Sequence, residues 1–339
     1  MSIRGAVGPL RGDASWGDEG RAIDVHSHIV PPAYVRAIAA AAEADAEFAS
    51  LAIRNHLLPP QGRPEPARAL TDIDLRLADM DRAGVAISAI SVPPPGPLLG
   101  DRDAAIRANA ETNDGLIEIA ERHPDRLRVL AAIPLPYVEA ALAEIERVRA
   151  HPLVRGVELM TVGATWTLDE ARLEAVYARL AELGLVVLLH PALEPTPVAL
   201  GEFGLVASVA PVLSSSVGAL RLVLSGMLDR VPGLDVVVPH LGGVIPYLSR
   251  RIIDLSGQAE AQHTIDHYLG ERLYLDTCSF HPPALECALG TTPARRLLLG
   301  SDAPFRGGLA RAVDDVRTSV IPVGDRAAVL GATASRWFG

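Results

Sequence analysis

The sequence predicts a (β/α)8 barrel, in which eight parallel strands form a closed sheet surrounded by helices. Eight short runs rich in Val, Ile and Leu alternate with longer segments of helical periodicity, as in repeated βα units. The runs are almost continuously hydrophobic, as in residues 185–189, which is typical of strands covered on both faces. The chain has 339 residues, a length that one such barrel can fill as a single domain.

The expected strands and helices follow one another in order along the chain. The strands are Ala22–Ile29, Val85–Val92, Leu127–Leu135, Arg155–Met160, Leu185–His190, Leu234–His240, Leu273–Ser279 and Arg296–Gly300. The helices are Asp72–Ala83, Asp103–Arg122, Val138–Ala150, Leu168–Leu183, Ala219–Leu228, Pro282–Leu289 and Leu309–Ser319. Several begin near a hydroxyl or carboxylate, such as Thr71 and Asp72, which can satisfy the free N–H groups of the first turn.

Two long stretches interrupt this alternation. We expect an N-terminal arm, residues 1–21, followed by one barrel domain, residues 22–339. The Ala- and Pro-rich insertion 30–70 follows strand 1, and the loop 192–217 follows strand 5. Both leave the rim where barrel enzymes build their active sites, so they are expected to form a lid or a subunit contact. A surface insertion without function is the alternative.

Charge and composition exclude several classes of partner. A formal net charge of -10 without a basic run argues against nucleic acid and against an anionic membrane surface. Residues 1–21 contain no apolar core of signal-peptide length, and no later apolar run approaches the length of a membrane span. Its two cysteines, Cys278 and Cys287, have no metal-ligand spacing and are expected to be reduced thiols. We therefore expect a cytoplasmic protein that acts on a small molecule.

The chain contains no lysine, because all 31 of its Lys and Arg residues are arginine. This absence excludes a Schiff-base mechanism and a P-loop, which both require a lysine amine. It also excludes a carbamylated lysine as a bridge between two metal ions.

The strand ends carry the candidate metal ligands. Strand 1 ends with Asp24, His26 and His28, and simple alternation places all three on the same side, the barrel interior. Three other strands also end in a metal-competent or titratable residue, namely His190, His240 and Asp302. Any one of these histidines alone is better explained as a hydrogen-bonded core residue. Their recurrence at four strand ends instead predicts a divalent metal site at the rim.

The order of these motifs resembles the amidohydrolase superfamily, and within it the aminocarboxymuconate-semialdehyde decarboxylase-like branch called amidohydrolase family 2. The resemblance covers essentially the whole barrel. It rests on the segments Asp24–His28, Asn113–Asp114, His123–Arg126, Leu189–Pro191, Pro239–Gly243, Leu275–Thr277 and Gly300–Phe305.

The resemblance implies a ligand set and an acid–base residue. His26, His28, His190 and Asp302 would bind one metal, zinc or alternatively manganese, and His240 beside it would move protons. Asp302 would thus serve as ligand and catalytic residue. Asp24 and Asp276 would orient the ligand imidazoles or the bound water through hydrogen bonds. Glu158 could hold a second metal in principle, but we expect it to contact solvent or a ligand instead.

The substrate is expected to be a small carboxylate, for which arginine is the best-suited partner. Arg54 in the first insertion is one candidate. Arg250 and Arg251 after strand 6 are others, because the matching region of the family lends an arginine to a neighbouring subunit, which also suggests a homodimer. All three could equally form surface ion pairs. Trp166 and Phe305 would wall the pocket, with packing as the alternative, and Cys278 is interpreted as a small core residue.

Two activities remain open. One is the non-oxidative decarboxylation of a small unsaturated or aromatic carboxylic acid. The other is hydrolysis or hydration of a lactone, an enol or a related ring-derived carboxylate. Both would use a bound cation that lowers the pKa of water. A third hypothesis is a catalytically silent barrel. The complete ligand set, together with His240, argues against it.

Overall fold

A computed structural model places eight parallel strands in one sheet, in chain order from β1 to β8. It describes residues 21–45, 49, 52, 68–161, 165–192, 200, 202–257, 259–305 and 307–339. The sheet closes on itself next to β8: Val25 donates to the carbonyl of Leu299 at 2.9 Å, and His28 donates to that of Ala303 at 2.8 Å. The expected (β/α)8 barrel is confirmed.

All eight strands start within two residues of the expected position, and all but β4 and β5 end earlier than expected. They are β1 Ala22–His28, β2 Val85–Ser91, β3 Leu127–Ala132, β4 Val154–Met160, β5 Val186–His190, β6 Val236–Val238, β7 Leu273–Asp276 and β8 Leu297–Leu298. We expected β6 to continue to His240, but pairing stops at Val238. The reason is that His240 and Leu241 have left-handed backbone angles, φ 57° and 55°, which do not fit a strand.

Helices cover the outside of the barrel. Their bounds are Pro32–Ala44, Arg68–Thr71, Ile73–Ala83, Arg102–Glu121, Val138–Val148, Glu174–Glu182, Leu205–Ser208, Ala210–Leu224, Met227–Arg230, Ile245–Leu255, Ile265–Glu271, Pro282–Leu289, Gly308–Thr318, Val323–Ala327 and Ser335–Phe338. The expected cap at Asp72 is present, since its carboxylate accepts a hydrogen bond from the N–H of Leu75 at 3.1 Å. None of the helices in the described part of the chain is long and apolar enough to cross a membrane.

Three helices of seven or more residues lie where none was expected, as do four shorter ones, Arg68–Thr71, Leu205–Ser208, Val323–Ala327 and Ser335–Phe338. Pro32–Ala44 occupies part of the first insertion, and Ile245–Leu255 and Ile265–Glu271 follow β6. The helix after β5 begins at Ala210, nine residues before the expected Ala219, so the loop expected over 192–217 is helical in its last part. Proline lies in the first turn of three of these helices, where its missing N–H costs nothing.

A bulge in β1 changes which side chains share a face. Asp24 pairs with Ser88 and Ser27 with Ile90, so three steps along β1 match two along β2. Asp24 and Ser27 consequently contact the same hydroxyl, that of Ser88, at 3.1 Å and 2.8 Å. Simple alternation, which placed Asp24 on the side of His26 and His28, is therefore wrong at this position.

Apolar side chains fill the barrel interior below the rim. Val186 and Leu188, which precede His190 on the same side of β5, belong to this cluster. Its other members include Ile23, Val25, Ile87, Ala89, Leu130, Val237, Tyr274, Leu298, Trp337 and Phe338. The polar strand ends thus lie above a layer of buried apolar side chains, which keeps water away from that side of them.

Candidate active site

Four expected ligands meet at the C-terminal rim. One ligand atom from each of His26, His28, His190 and Asp302 lies within 4.8 Å of all the others, and all four residues are buried. The Nε2 atoms of His26 and His28 are 3.2 Å apart, and Oδ1 of Asp302 is 3.2 Å from the latter. Tetrahedral zinc with bonds of about 2.0–2.1 Å places neighbouring ligand atoms about 3.3 Å apart. The spacing therefore fits one small divalent cation.

Each ligand imidazole is held through its Nδ1 atom. His26 donates from Nδ1 to Oδ2 of Asp276 at 2.6 Å, and His190 donates to the carbonyl of Pro191 at 3.2 Å. His28 contacts Oγ of Ser91 at 3.1 Å. Because Nδ1 is engaged in each ring, Nε2 is left to face the cluster, and Nε2 of His190 is buried with no hydrogen-bond partner. This orphaned atom is a second indication that the residues suit a metal ion.

Ser91 connects His28 to the carboxyl group of Glu158. The Ser91 hydroxyl donates to Oε1 of Glu158 at 2.7 Å and accepts from His28. Burial raises the pKa of Glu158 to about 8, although the Ser91 hydrogen bond opposes this shift. Glu158 therefore reaches His28 through the Ser91 hydroxyl. Ser91 was missed, and the signal was available, since it ends β2 at the same rim.

Burial and hydrogen bonding shift the pKa values of the clustered residues in different directions. Burial lowers the pKa of His28 to about 4 and that of His190 well below its usual range. Burial acts the same way on His26, but the hydrogen bond and charge of Asp276 raise its pKa to about 9. Burial disfavours ionised Asp302, yet hydrogen bonds with His240 and His28 hold its pKa well below its usual range. The site is thus built around an ionised carboxylate.

His240 lies next to the cluster without joining the four ligands. Its Nε2 atom is 4.0 Å from Oδ2 of Asp302, and its side chain is 6% exposed. Its backbone N–H donates to Oδ1 of Asp276 at 2.8 Å, which anchors the left-handed turn. One carboxylate, Asp276, therefore orients both a ligand imidazole and the backbone of His240.

Asp24 has a different contact set from the one expected. Its carboxylate accepts from the N–H and Oγ of Ser301 at 3.0 and 2.8 Å, and it contacts Ser88 rather than a ligand imidazole. Burial raises its pKa to about 6, opposed by these hydrogen bonds and by the charge of buried Arg76. Asp24 therefore fixes the backbone beside Asp302, whose φ of 53° is also left-handed.

The expected substrate residues that the structure describes are not gathered in one place. Arg54 lies outside the described residues. Arg250 forms an ion pair with Asp254 one turn along the exposed side of its helix, and Arg251 is exposed on the same helix. Trp166 packs in the main hydrophobic core, which agrees with the alternative that it serves packing rather than the pocket wall. Phe305 is half-buried with its ring 5.8 Å from that of His28, so it borders the metal cluster.

A family model described as amidohydrolase matches residues 23–339. The chain belongs to this family. Gamma-resorcylate decarboxylase of Rhizobium radiobacter is 29% identical over 289 residues, which are 79% of this chain and 88% of that enzyme. The relative's name agrees with the carboxy-lyase expected from the sequence.

Solved structures share the fold of this amidohydrolase. The 5-carboxyvanillate decarboxylase of Sphingomonas paucimobilis has a TM-score of 0.85 at 24% identity, over 94% of this chain and 98% of that one. A dihydroxybenzoic acid decarboxylase of Polaromonas sp. JS666, with bound manganese and the inhibitor 2-nitroresorcinol, has a TM-score of 0.77 at 24% identity, over 94% and 96%.

Proposed function

We propose that this amidohydrolase is a metal-dependent, non-oxidative decarboxylase of a small aromatic or unsaturated carboxylic acid. The observation that carries the proposal is the buried cluster of three imidazoles and one carboxylate, with His240 beside it. The name of the Rhizobium relative, a decarboxylase of an aromatic acid, favours this reaction over hydrolysis or hydration.

His26, His28, His190 and Asp302 would hold one divalent cation. When bound, the cation supplies a Lewis acid that polarises oxygen atoms of the substrate. Three nitrogen ligands and one carboxylate suit zinc, which we propose as the metal, and the manganese bound to the Polaromonas relative makes Mn²⁺ the alternative. The remaining chemistry falls to side chains of the chain itself.

His240 supplies the proton in this proposal. Decarboxylation breaks the bond between the carboxylate and a carbon atom, releases carbon dioxide and places one proton on that carbon. His240 is positioned to hold this proton, and Oδ2 of Asp302, 4.0 Å from its Nε2, stabilises the charged imidazole. Asp302 is thus a ligand through one oxygen and a partner of the acid–base through the other. Phe305 would pack against the ring of the substrate.

We also propose that the protein is a homodimer. Arg250 is 82% exposed on the helix Ile245–Leu255, so it would contact substrate only in the site of a second subunit. The same helix exposes Tyr247 and Leu255, and Val217 on the neighbouring helix borders the same groove as Leu255. Exposed apolar side chains on the helix that carries Arg250 suit a contact between two copies. Arg54 and Arg251 remain further candidates for the substrate carboxylate.

The cellular setting proposed is the cytoplasm. Cys278 and Cys287 form no disulfide, which suits a reducing compartment. The net charge of -10 disfavours nucleic acid as a partner.

Release of carbon dioxide tests the function. The zinc-loaded and manganese-loaded proteins would be incubated with gamma-resorcylate, then with a panel of hydroxybenzoic and dienoic acids. We expect carbon dioxide and the decarboxylated ring from at least one acid, and none after chelation or in His190→Ala. Hydrated or ring-opened products without carbon dioxide would instead establish the hydrolase or hydratase.

A further inference from the structure

A second group of metal-competent side chains lies beside the four ligands. One ligand atom from each of His240, Cys278 and Asp302 lies within 4.8 Å of the other two. All three residues are buried, with exposed fractions of 7%, 1% and 7%. A thiol, an imidazole and a carboxylate in one buried place are the ligand types that zinc prefers.

Asp302 belongs to both groups and turns a different oxygen to each. Its Oδ1 atom is 3.6 Å and 3.2 Å from Nε2 of His26 and His28. Its Oδ2 atom is 4.0 Å from Nε2 of His240. A carboxylate in this position can bridge two cations, which in two-metal sites lie about 3.5–4 Å apart.

Cys278 and His240 are held in place by the same atom. Oδ1 of Asp276 accepts hydrogen bonds from the backbone N–H of His240 at 2.8 Å and from that of Cys278 at 3.0 Å. The two side chains therefore start from backbone positions that are fixed relative to each other. Little ordering is needed before they can bind an ion together.

We propose that His240, Cys278 and Asp302 form a second site for a thiophilic divalent cation, adjacent to the first site and sharing Asp302. The thiolate selects Zn²⁺, Co²⁺ or Cd²⁺ over Mn²⁺ and Mg²⁺, which prefer oxygen ligands. Binding releases the thiol proton of Cys278 to solvent. An ion in this site occupies His240, so the enzyme is inhibited by zinc beyond the first equivalent.

Cobalt titration of the metal-free protein tests the second site. We expect two equivalents of Co²⁺ to bind, and a near-ultraviolet sulfur-to-cobalt charge-transfer band to grow with only one of them. Cys278→Ser should abolish this band and weaken the binding of that equivalent at least about tenfold, since even loss of an outer contact to a ligand costs that much. Cys287→Ser, which removes the exposed thiol, is the matched control and should behave as the wild type.

Zinc inhibition gives a second readout. Activity should fall as zinc exceeds one equivalent in the wild type and in Cys287→Ser, but not in Cys278→Ser or Cys278→Ala. Saturation at one equivalent without the sulfur band overturns the second site, as does a second equivalent that survives Cys278→Ser with unchanged affinity. The sulfur-to-cobalt band is measured on the wild-type protein, so the test does not depend on the folding of a variant. It also does not depend on decarboxylase activity, so it remains valid if the proposed function is wrong.

Discussion

At the scale of single residues, the three ligand imidazoles differ in what holds their Nδ1 atoms. His26 has a carboxylate, His190 a backbone carbonyl and His28 a hydroxyl that is itself held by Glu158. The hydroxyl is the least fixed of these anchors, since it alone can rotate about its side-chain bond. The Ser91 contact is consequently the place where a small change should loosen the metal site.

We expect Ser91→Ala to weaken metal binding by about 10–100-fold without unfolding the protein. The variant leaves Nδ1 of His28 without its partner and strands the buried carboxyl of Glu158. Competition with a chelator measures the Kd. Ser335→Ala, at an exposed serine in the last helix, is the control. Unchanged affinity in Ser91→Ala would show that His28 needs no orienting contact.

His240→Ala should retain the metal and lose at least about 10²-fold in kcat, because it removes the acid–base without removing one of the four ligands. Metal content per chain and the initial rate of carbon dioxide release, measured on the same sample, separate the two effects. His281→Ala, at an exposed histidine, should match the wild type. Near-wild-type turnover of His240→Ala would remove this residue from the mechanism.

The sequence was sufficient to predict that His26, His28, His190 and Asp302 meet at the rim, because they lie at or near the ends of hydrophobic runs. The choice of these four as ligands, with His240 as the acid–base, came from the family resemblance and stays a prediction. The position of Asp24 could not be predicted, because a bulge shifts β1 by one residue and only the pairing with β2 reveals it.

At the scale of elements, the turn after β6 carries the most constrained backbone near the site. His240, Leu241, Gly242 and Gly243 all have positive φ. The turn rests on the helix Ala210–Leu224, where the hydroxyl of Ser216 accepts from the N–H of Val244 at 2.8 Å. This close approach requires a glycine at 243, which has φ 64° and ψ -124°.

Gly243→Ala should destabilise the protein by at least about 2 kcal/mol, because the backbone angles exclude a side chain and the space is filled. A methyl group there would lie 2.6 Å from the carbonyl oxygen of Val212 and against Oγ of Ser216. The free energy of urea unfolding measures the loss. Gly257→Ala adds a methyl group to open space and is the control. Equal stability of the two variants would contradict this account.

Strands were predicted better than helices, and the reason is physical. A strand covered on both faces is a continuous hydrophobic run, which few other structures imitate. The helix Ile245–Leu255 was missed because it has Pro246 in its first turn and carries polar residues on an exposed face. The turn before it contains two glycines, which resemble a loop when the tertiary contacts are unknown.

At the scale of the whole molecule, the exposed patch on the helix Ile245–Leu255 bears on assembly. Tyr247 is 80% exposed and Leu255 is 68% exposed.

Tyr247→Glu should raise the dimer Kd about tenfold or more, since a buried charge replaces an aromatic contact. Val323→Glu changes a residue that is 75% exposed on another helix and should leave assembly unchanged. Sedimentation velocity measures both, and a monomeric wild type would exclude the homodimer.

The metal cluster also joins the first strand of the barrel to the segment after the last strand. Its ligands come from β1, from β5 and from the segment after β8, and the backbone N–H of Asp302 donates to the carbonyl of His26 at 2.8 Å. A cation bound here binds the folded chain and not the unfolded one, so it shifts the folding equilibrium by mass action. The closed barrel is therefore coupled to the occupancy of its site.

Metal removal should lower the unfolding midpoint. At a free zinc concentration 100 times the Kd, binding stabilises the fold by about 2.7 kcal/mol, which for a domain of this size is about 4 °C. Thermal unfolding followed by circular dichroism, with and without chelator, measures the difference. His190→Ala should lose most of it, because an orphaned ligand atom is gone, whereas exposed His263→Ala should keep it. Identical midpoints for the chelated and zinc-loaded wild type would mean that the four ligands hold no ion in the folded protein.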